Sequence, residues 1–280
     1  MTSQQQVRAV VLDWAGTMID YGSLAPARVF QQVFQNNGLE ITVGQAREPM
    51  GMAKREHIAA ILAIPEVEAK WHSLHGRDVE DQDIELLYQQ FLPLQEQVIA
   101  RHCELIPGAL KTYQWLKQQN IRVASTTGYT RAIMQVVTGL ARQAGYDPEV
   151  VLCAEDAPFG RPAPWLIFEC AKRLNVYPIS SIVKVDDTLV GIEAGINAGA
   201  WTVGIARSGN LVGLSEAELG DLDSASATSL VRQAREKLAG AGAHFVIDSV
   251  QELPDVISRI NVLLEQRRPS AVPTTVAADA

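Results

Sequence analysis

Asp13 stands at the end of an apolar, β-rich run, residues 7–13, and is followed at once by Trp14-Ala15-Gly16-Thr17. A carboxylate delivered by a strand into a tight glycine turn can attack phosphorus while backbone amides of the turn hold the oxygens around it. The same layout also serves as a strand-to-helix cap whose carboxylate merely bonds turn amides. Asp13 alone leaves both readings open. Three further segments carry matching chemistry. Ser125-Thr126-Thr127-Gly128 offers a hydroxyl and backbone amides to a phosphate oxygen, and Gly160-Arg161-Pro162 sets a guanidinium just ahead of a helix, suited to a phosphoryl dianion. Asp186-Asp187 supplies hard oxygen ligands of the kind Mg²⁺ takes. Each by itself is more often a solvated loop; four in order on one face of a sheet point to phosphoryl chemistry.

The elements that must position these residues follow from the apolar pattern. Short β-rich runs recur at residues 7–13, 121–126, 150–153, 182–185 and 201–206, and helical periodicity fills 108–119, 130–144, 163–174 and 190–198. Strands alternating with helices predict an α/β fold with a doubly wound parallel sheet and a ligand crevice at the carboxyl ends of the strands. Residues 21–102 break the alternation and read as all helix. Pro26 opens one helix that Gly38 closes; further helices are predicted over 52–64, 67–74 and 84–101, the last kinked or broken near Pro93. The expected organisation is therefore an α/β core from residues 1–20 and 103–266, a helical cap domain from 21–102, and a disordered tail over 267–280, where Pro, Ser, Thr and Ala occur without periodicity.

A net charge of −8 speaks against a nucleic-acid backbone or an anionic membrane as partner, since both demand clustered positive charge. The three cysteines, Cys103, Cys153 and Cys170, are odd in number and lack metal or redox spacing, which suits a reducing compartment. No apolar run is long enough to span a bilayer, and Met1 to Gln6 lack the basic and apolar regions of a signal peptide, so a cytoplasmic location is expected. His72 and His75 lie three apart on a predicted helix with no third ligand nearby and read as an exposed pair.

On these motifs the chain resembles the haloacid dehalogenase superfamily, and within it the phosphonoacetaldehyde hydrolases. The resemblance runs from Val10 to about Leu263. It rests on Asp13-Trp14-Ala15-Gly16-Thr17 with Asp20-Tyr21-Gly22, on Pro49-Met50-Gly51 with Lys54 and His57, and on Ser125 through Thr130. Gly160-Arg161-Pro162 with Pro164-Trp165, Lys184 through Asp187, and Asn197-Ala198-Gly199 with Trp201 through Gly204 complete it.

The resemblance implies an enzyme that cleaves the carbon–phosphorus bond of phosphonoacetaldehyde, with Asp13 as nucleophile and Lys54 as the amine that forms an imine with the aldehyde. It implies Mg²⁺ held by Asp13, the Ala15 carbonyl and Asp187, substrate contacts from Met50, His57, Thr127, Gly128, Tyr129 and Arg161, and a homodimer. Asp186 is the weaker metal candidate because successive strand residues point to opposite faces.

Ala15 separates this reading from its neighbours. Phosphatases and mutases of the superfamily usually carry a second aspartate two residues after the nucleophile, to protonate a leaving alkoxide. An alanine there removes that acid, whereas a carbon leaving group needs an electron sink instead, which an imine provides. A phosphatase or phosphomutase on the same scaffold is the alternative that Ala15 disfavours, and a dehalogenase would not need Asp187. A catalytically silent phosphate-binding regulator is disfavoured by the presence of both Asp13 and Lys54. Two positions depart from relatives: Gly191 replaces a carboxylate many members carry, with Glu193 or solvent as the expected substitute, and Ser23 stands where some have cysteine.

Overall fold

A computed structural model describes residues 6–266, and the tail expected over 267–280 lies outside the described residues. The strands are β1 (Ala9–Leu12), β2 (Arg122–Thr126), β3 (Val150–Leu152), β4 (Ile182–Asp186), β5 (Trp201–Ile205) and β6 (Phe245–Ile247). They form one parallel sheet in the order β3-β2-β1-β4-β5-β6. All four residues of β1 are buried because both faces of the sheet are covered. Val10 and Leu12 join one apolar cluster with Val183, Val185 and Val203, while Ala9 and Val11 join another with Leu152, Leu166 and Ile182. The period-2 alternation of a strand thus feeds two separate helix–sheet layers.

Between β1 and β2 run α1 (Leu24–Asn36), α2 (Val43–Arg47), α3 (Lys54–Leu62), α4 (Pro65–His75) and α5 (Asp81–Ile99). These helices enclose an apolar cluster of their own, built on Phe30, Phe34, Ile58, Ile61, Trp71, Leu87 and Phe91. The core helices follow: α6 (Ala109–Gln118), α7 (Arg131–Gln143), α8 (Trp165–Arg173), α9 (Leu189–Ala198), α10 (Glu216–Asp221), α11 (Ser224–Gly240) and α12 (Leu253–Gln266).

The expected strands and helices agree with these bounds to within a few residues. Three features differ. α5 runs unbroken through Pro93. Leu87, Phe91, Gln95 and Ile99 recur every fourth residue on its buried face, whereas Pro93 and Gln89, whose carbonyl loses its amide partner, face solvent. α2 was not expected because five residues carry too little periodicity; a capping box between Thr42 and Gln45 secures it. Beyond residue 206 the sequence reading placed no element. β6, at three residues, is too short to announce itself, though it completes the sheet edge.

Phe34 is fully buried in the cluster of the inserted helices. Phe34→Ala should cost about 3–5 kcal/mol in a urea unfolding experiment. A loss below about 1 kcal/mol would mean that this cluster contributes little to stability.

Candidate active site

The register of the sheet assembles the site. Leu12 lies opposite Ser125 on one side and Val185 on the other, so the next residue of each strand, Asp13, Thr126 and Asp186, emerges at one level. This is the point where the chain switches direction across the sheet, and parallel strands open a crevice there. Asp13 still bonds to the Val185 carbonyl through its N–H, at 3.0 Å, before the backbone turns. Gly16 makes that turn at a φ of 74°, and a Cβ on it would meet Asp187 Oδ2 at 2.1 Å. Its place thus requires both the left-handed backbone and the missing side chain.

Asp13, Asp186 and Asp187 bring carboxylate oxygens within 4.8 Å of one another, all three buried. Two cations oppose them. Arg161 donates from Nη2 to Asp13 Oδ1 at 2.6 Å and to the Thr126 carbonyl at 2.7 Å, while its Nη1 lies 3.3 Å from Asp186 Oδ2. Lys184, fully buried on β4, lies 2.8 Å from Asp186 Oδ2 and donates to Thr126 Oγ1 at 3.1 Å. Burial raises the pKa of Asp186, yet Arg161 and Lys184 together carry it below the usual carboxylate range. For Asp13 burial outweighs the help from Arg161, and its pKa is raised.

Asp187 differs from both. Among the described residues it has no ion pair; it accepts from the Asn210 N–H at 2.7 Å and, weakly, from Thr17 Oγ1 at 3.5 Å. Burial, and then the like charges of Asp13 and Asp186, push its carboxyl well above the ordinary range. A buried carboxylate short of positive charge, beside a second carboxylate, fits a hard divalent cation bound by oxygen. The expectation that Asp186 points away does not hold, since β4 ends at Asp186 and strand alternation stops with it. Its carboxylate is instead engaged by Lys184, Arg161 and the Thr188 hydroxyl, the last at 2.6 Å.

Gly191 acquires a reason. A Cβ there would meet the Asp186 carboxylate at about 2.0 Å, so Asp186 already fills the space a side chain at 191 would need. Glu193, expected as a possible substitute for the missing carboxylate, is exposed on α9 and is not among the carboxylates of the buried cluster.

Above the carboxylates lies a cavity lined by Asp13, Ala15, Ser23, Met50, Lys54, Thr127, Gly128, Tyr129 and Arg161, among others. Lys54 begins α3 and hangs over the rings of Tyr129, Phe30 and Phe91, its Nζ 4.9, 5.4 and 5.9 Å from their centroids. It makes no hydrogen bond or ion pair among the described residues. Burial, opposed by Asp13 and aided by Arg161, lowers its pKa to about 7. His57 is not on the cavity wall. It stacks on Phe30 at 3.8 Å and donates from Nε2 to the Ala46 carbonyl at 2.9 Å. Burial and the neighbouring Lys54 hold its pKa well below normal, so the ring is neutral. Thr127, on the cavity wall, accepts at Oγ1 from the Tyr129 N–H at 3.1 Å, so its hydroxyl retains a proton to donate.

Sequence reading passed over Lys184 as a functional side chain, although it lay inside a quoted motif. A lysine amid strand valines, fully buried, was the available signal. It also missed Thr126, whose hydroxyl and carbonyl together brace Arg161. Ser125, the residue next to it, is buried with no partner for its hydroxyl among the described residues.

The profile of the haloacid dehalogenase-like hydrolases matches residues 7–199. A phosphonoacetaldehyde hydrolase from Hahella chejuensis is 45% identical over 260 residues, spanning 93% of this chain and 88% of the relative. One from Paraburkholderia phytofirmans is 44% identical over 261 residues, 93% of this chain and 97% of the relative. The crystal structure of a phosphonoacetaldehyde hydrolase-like protein from Oleispira antarctica superposes with a TM-score of 0.92 at 41% identity, covering 94% of this chain and 95% of that one.

The lowered pKa of Lys54 has a direct consequence. Its amine is about half neutral near pH 7 and fully neutral above, whereas an ordinary lysine becomes so only above about pH 10. Competitive acetylation followed by peptide mapping should show Lys54 gaining reactivity through pH 7. A midpoint for Lys54 near that of ordinary lysines would show that burial does not depress it.

Proposed function

This chain belongs to the phosphonoacetaldehyde hydrolase family within the haloacid dehalogenase superfamily, and we propose on that footing that it converts phosphonoacetaldehyde and water to acetaldehyde and phosphate by way of a Lys54 imine and an Asp13 phosphoryl-aspartate. One observation carries the mechanism. An aromatic-walled lysine without an ion pair shares a cavity with a carboxylate that an arginine braces, and the residue two positions after that carboxylate is Ala15. The cavity holds an amine for an aldehyde and a nucleophile for phosphorus, and position 15 offers no acid for an alkoxide.

Neutral Lys54 adds to the aldehyde carbon and expels water, leaving an imine protonated on nitrogen. Asp13 then attacks phosphorus through a carboxylate oxygen. The carbon–phosphorus bond breaks, its electron pair passes into the iminium, and an enamine remains on Lys54. Protonation of the enamine carbon and addition of water release acetaldehyde and the free amine, and a second water removes phosphate from Asp13. Arg161, the Thr127 hydroxyl and the Gly128 amide face the phosphoryl oxygens in this reading, with Tyr129 and Met50 around the two-carbon fragment. His57 acts from behind: neutral and packed on Phe30, it adds no second positive charge beside Lys54. Asp13, the Ala15 carbonyl and Asp187 would hold Mg²⁺. Bound Mg²⁺ supplies positive charge that offsets the repulsion between a carboxylate nucleophile and a phosphonate dianion.

Two organisational proposals go with this reading. Residues 21–102 form a cap domain over a core of 1–20 and 103–266, supported by the separate apolar cluster of the inserted helices. The chain forms a homodimer through that cap, supported by the exposed apolar residues Val43, Leu74 and Leu86. No described helix is long and apolar enough to cross a membrane.

Borohydride added during turnover should reduce the imine and leave a two-carbon adduct on Lys54. Lys54→Arg keeps the charge without a readily deprotonated amine and should lose cleavage almost entirely while still binding phosphate. An adduct mapped to another lysine, or an active arginine variant, would remove Lys54 from the mechanism. Asp13→Asn should bind substrate without multiple turnover. Chelation of divalent cations should abolish activity and Mg²⁺ restore it. Faster hydrolysis of ordinary phosphate monoesters than of phosphonoacetaldehyde would defeat the substrate assignment.

A further inference from the structure

Arg47, the last residue of α2, takes no part in the chemistry above, yet its guanidinium ties the inserted helices to the core loop over residues 209–213. Nη1 donates to the Gly22 carbonyl at 2.8 Å and to Asn210 Oδ1 at 2.9 Å, with longer bonds to the Ser23 and Asn210 carbonyls at 3.3 Å. Nη2 donates to the Gly213 carbonyl at 3.0 Å. Among the described residues no carboxylate pairs with it. A planar, forked cation thus gathers neutral oxygens from two separate segments, residues 22–23 and 210–213, with donors in a fixed geometry that a rotating ammonium does not reproduce.

The far side of each contact is informative. Asn210 donates from Nδ2 back to the Arg47 carbonyl at 3.3 Å, and its N–H donates to Asp187 Oδ2 at 2.7 Å. The Met50 N–H bonds to the same Arg47 carbonyl at 3.0 Å, and Met50 and Lys54 both line the cavity. Residue 47 therefore holds, at once, the loop that leads to Lys54 and the residue that orients the Asp187 carboxylate. Groups that fix the orientation of a metal-ligating carboxylate govern metal affinity without touching the metal.

We propose that Arg47 is a positioning residue that couples docking of the inserted helices to the ordering of Asp187 as a metal ligand. The inference rests on the reading of Asp187 given above. A purely mechanical clasp would show in melting temperature alone, whereas a coupling residue must move a property of the carboxylate site with no substrate present.

Magnesium binding by calorimetry and backbone amide exchange, both on the full chain without substrate, separate the two. Arg47→Lys keeps the charge but loses the fork. Its Mg²⁺ affinity should fall by about tenfold or more, and the Asn210 amide should exchange faster while amides of β1 and β4 keep their protection. Wild-type affinity and wild-type Asn210 exchange in that variant, with or without a lower melting temperature, would overturn the coupling. Asn210→Ala keeps the backbone N–H on Asp187 but removes the side-chain link, so it should weaken Mg²⁺ binding in the same direction even where Arg47→Lys folds poorly. Undiminished affinity in Asn210→Ala would equally overturn it. The unsubstituted chain supplies the control: failure to bind Mg²⁺ there defeats the reading of Asp187 itself, whereas normal binding there with unchanged binding in the variants defeats only the coupling.

Discussion

Three carboxylates buried at the ends of adjacent strands would repel one another and destabilise the sheet that carries them, and Arg161 is what makes the arrangement tenable. It reaches Asp13 and Asp186 at once, from a segment 148 residues away from Asp13 in sequence. Burial acts against its charge, but the two carboxylates more than offset that and raise its pKa. Stripping one partner from a buried pair of this kind typically costs about 3–5 kcal/mol, because the remaining charge is left in a poorly solvating interior. Lys184 shares the load on Asp186 and is itself depressed by burial. The site is therefore a charge balance before it is a set of catalytic groups.

That balance explains the division of labour among the carboxylates. Asp186 takes the cations and is spent on structure. Asp13 keeps one oxygen on Arg161 and faces the cavity. Asp187 is left with an amide and a distant hydroxyl, which is the environment a divalent cation would complete. Gly191 belongs to the same logic, since a side chain there would collide with Asp186. The absent carboxylate at that position thus follows from where Asp186 sits.

Lys54 obeys the opposite rule. It is placed among aromatic faces with no anion in contact, so burial is free to lower its pKa towards neutrality. His57, held neutral by burial and by the neighbouring Lys54, packs flat on Phe30 behind it. The inserted helices thus bring an amine that loses its proton readily to a core whose cations hold Asp186 ionised and brace Asp13. Arg47 and Asn210 join the two parts on the side of Asp187.

The sequence by itself determined the α/β alternation, the helical insertion after β1 and the motifs at the strand ends, because short apolar strands and amphipathic helices are written in local periodicity. Ala15 was legible by its offset from Asp13, whereas Lys54 stood out only through the family resemblance of the segment around it. What only the tertiary structure decided was which neighbours each charge would have. Asp186 and Asp187 are adjacent in the chain and chemically identical, yet one sits on Lys184 and Arg161 and the other on Asn210, a difference made by strand register and by a loop beyond residue 206. The edge strand β6 and the short α2 were hidden because they carry too few residues to show a period. The roles of Thr126, Arg47 and Asn210 were hidden for a different reason. Their side-chain and amide partners lie at least 35, 24 and 23 residues away, and a hydrogen bond at that separation leaves no trace in local sequence pattern.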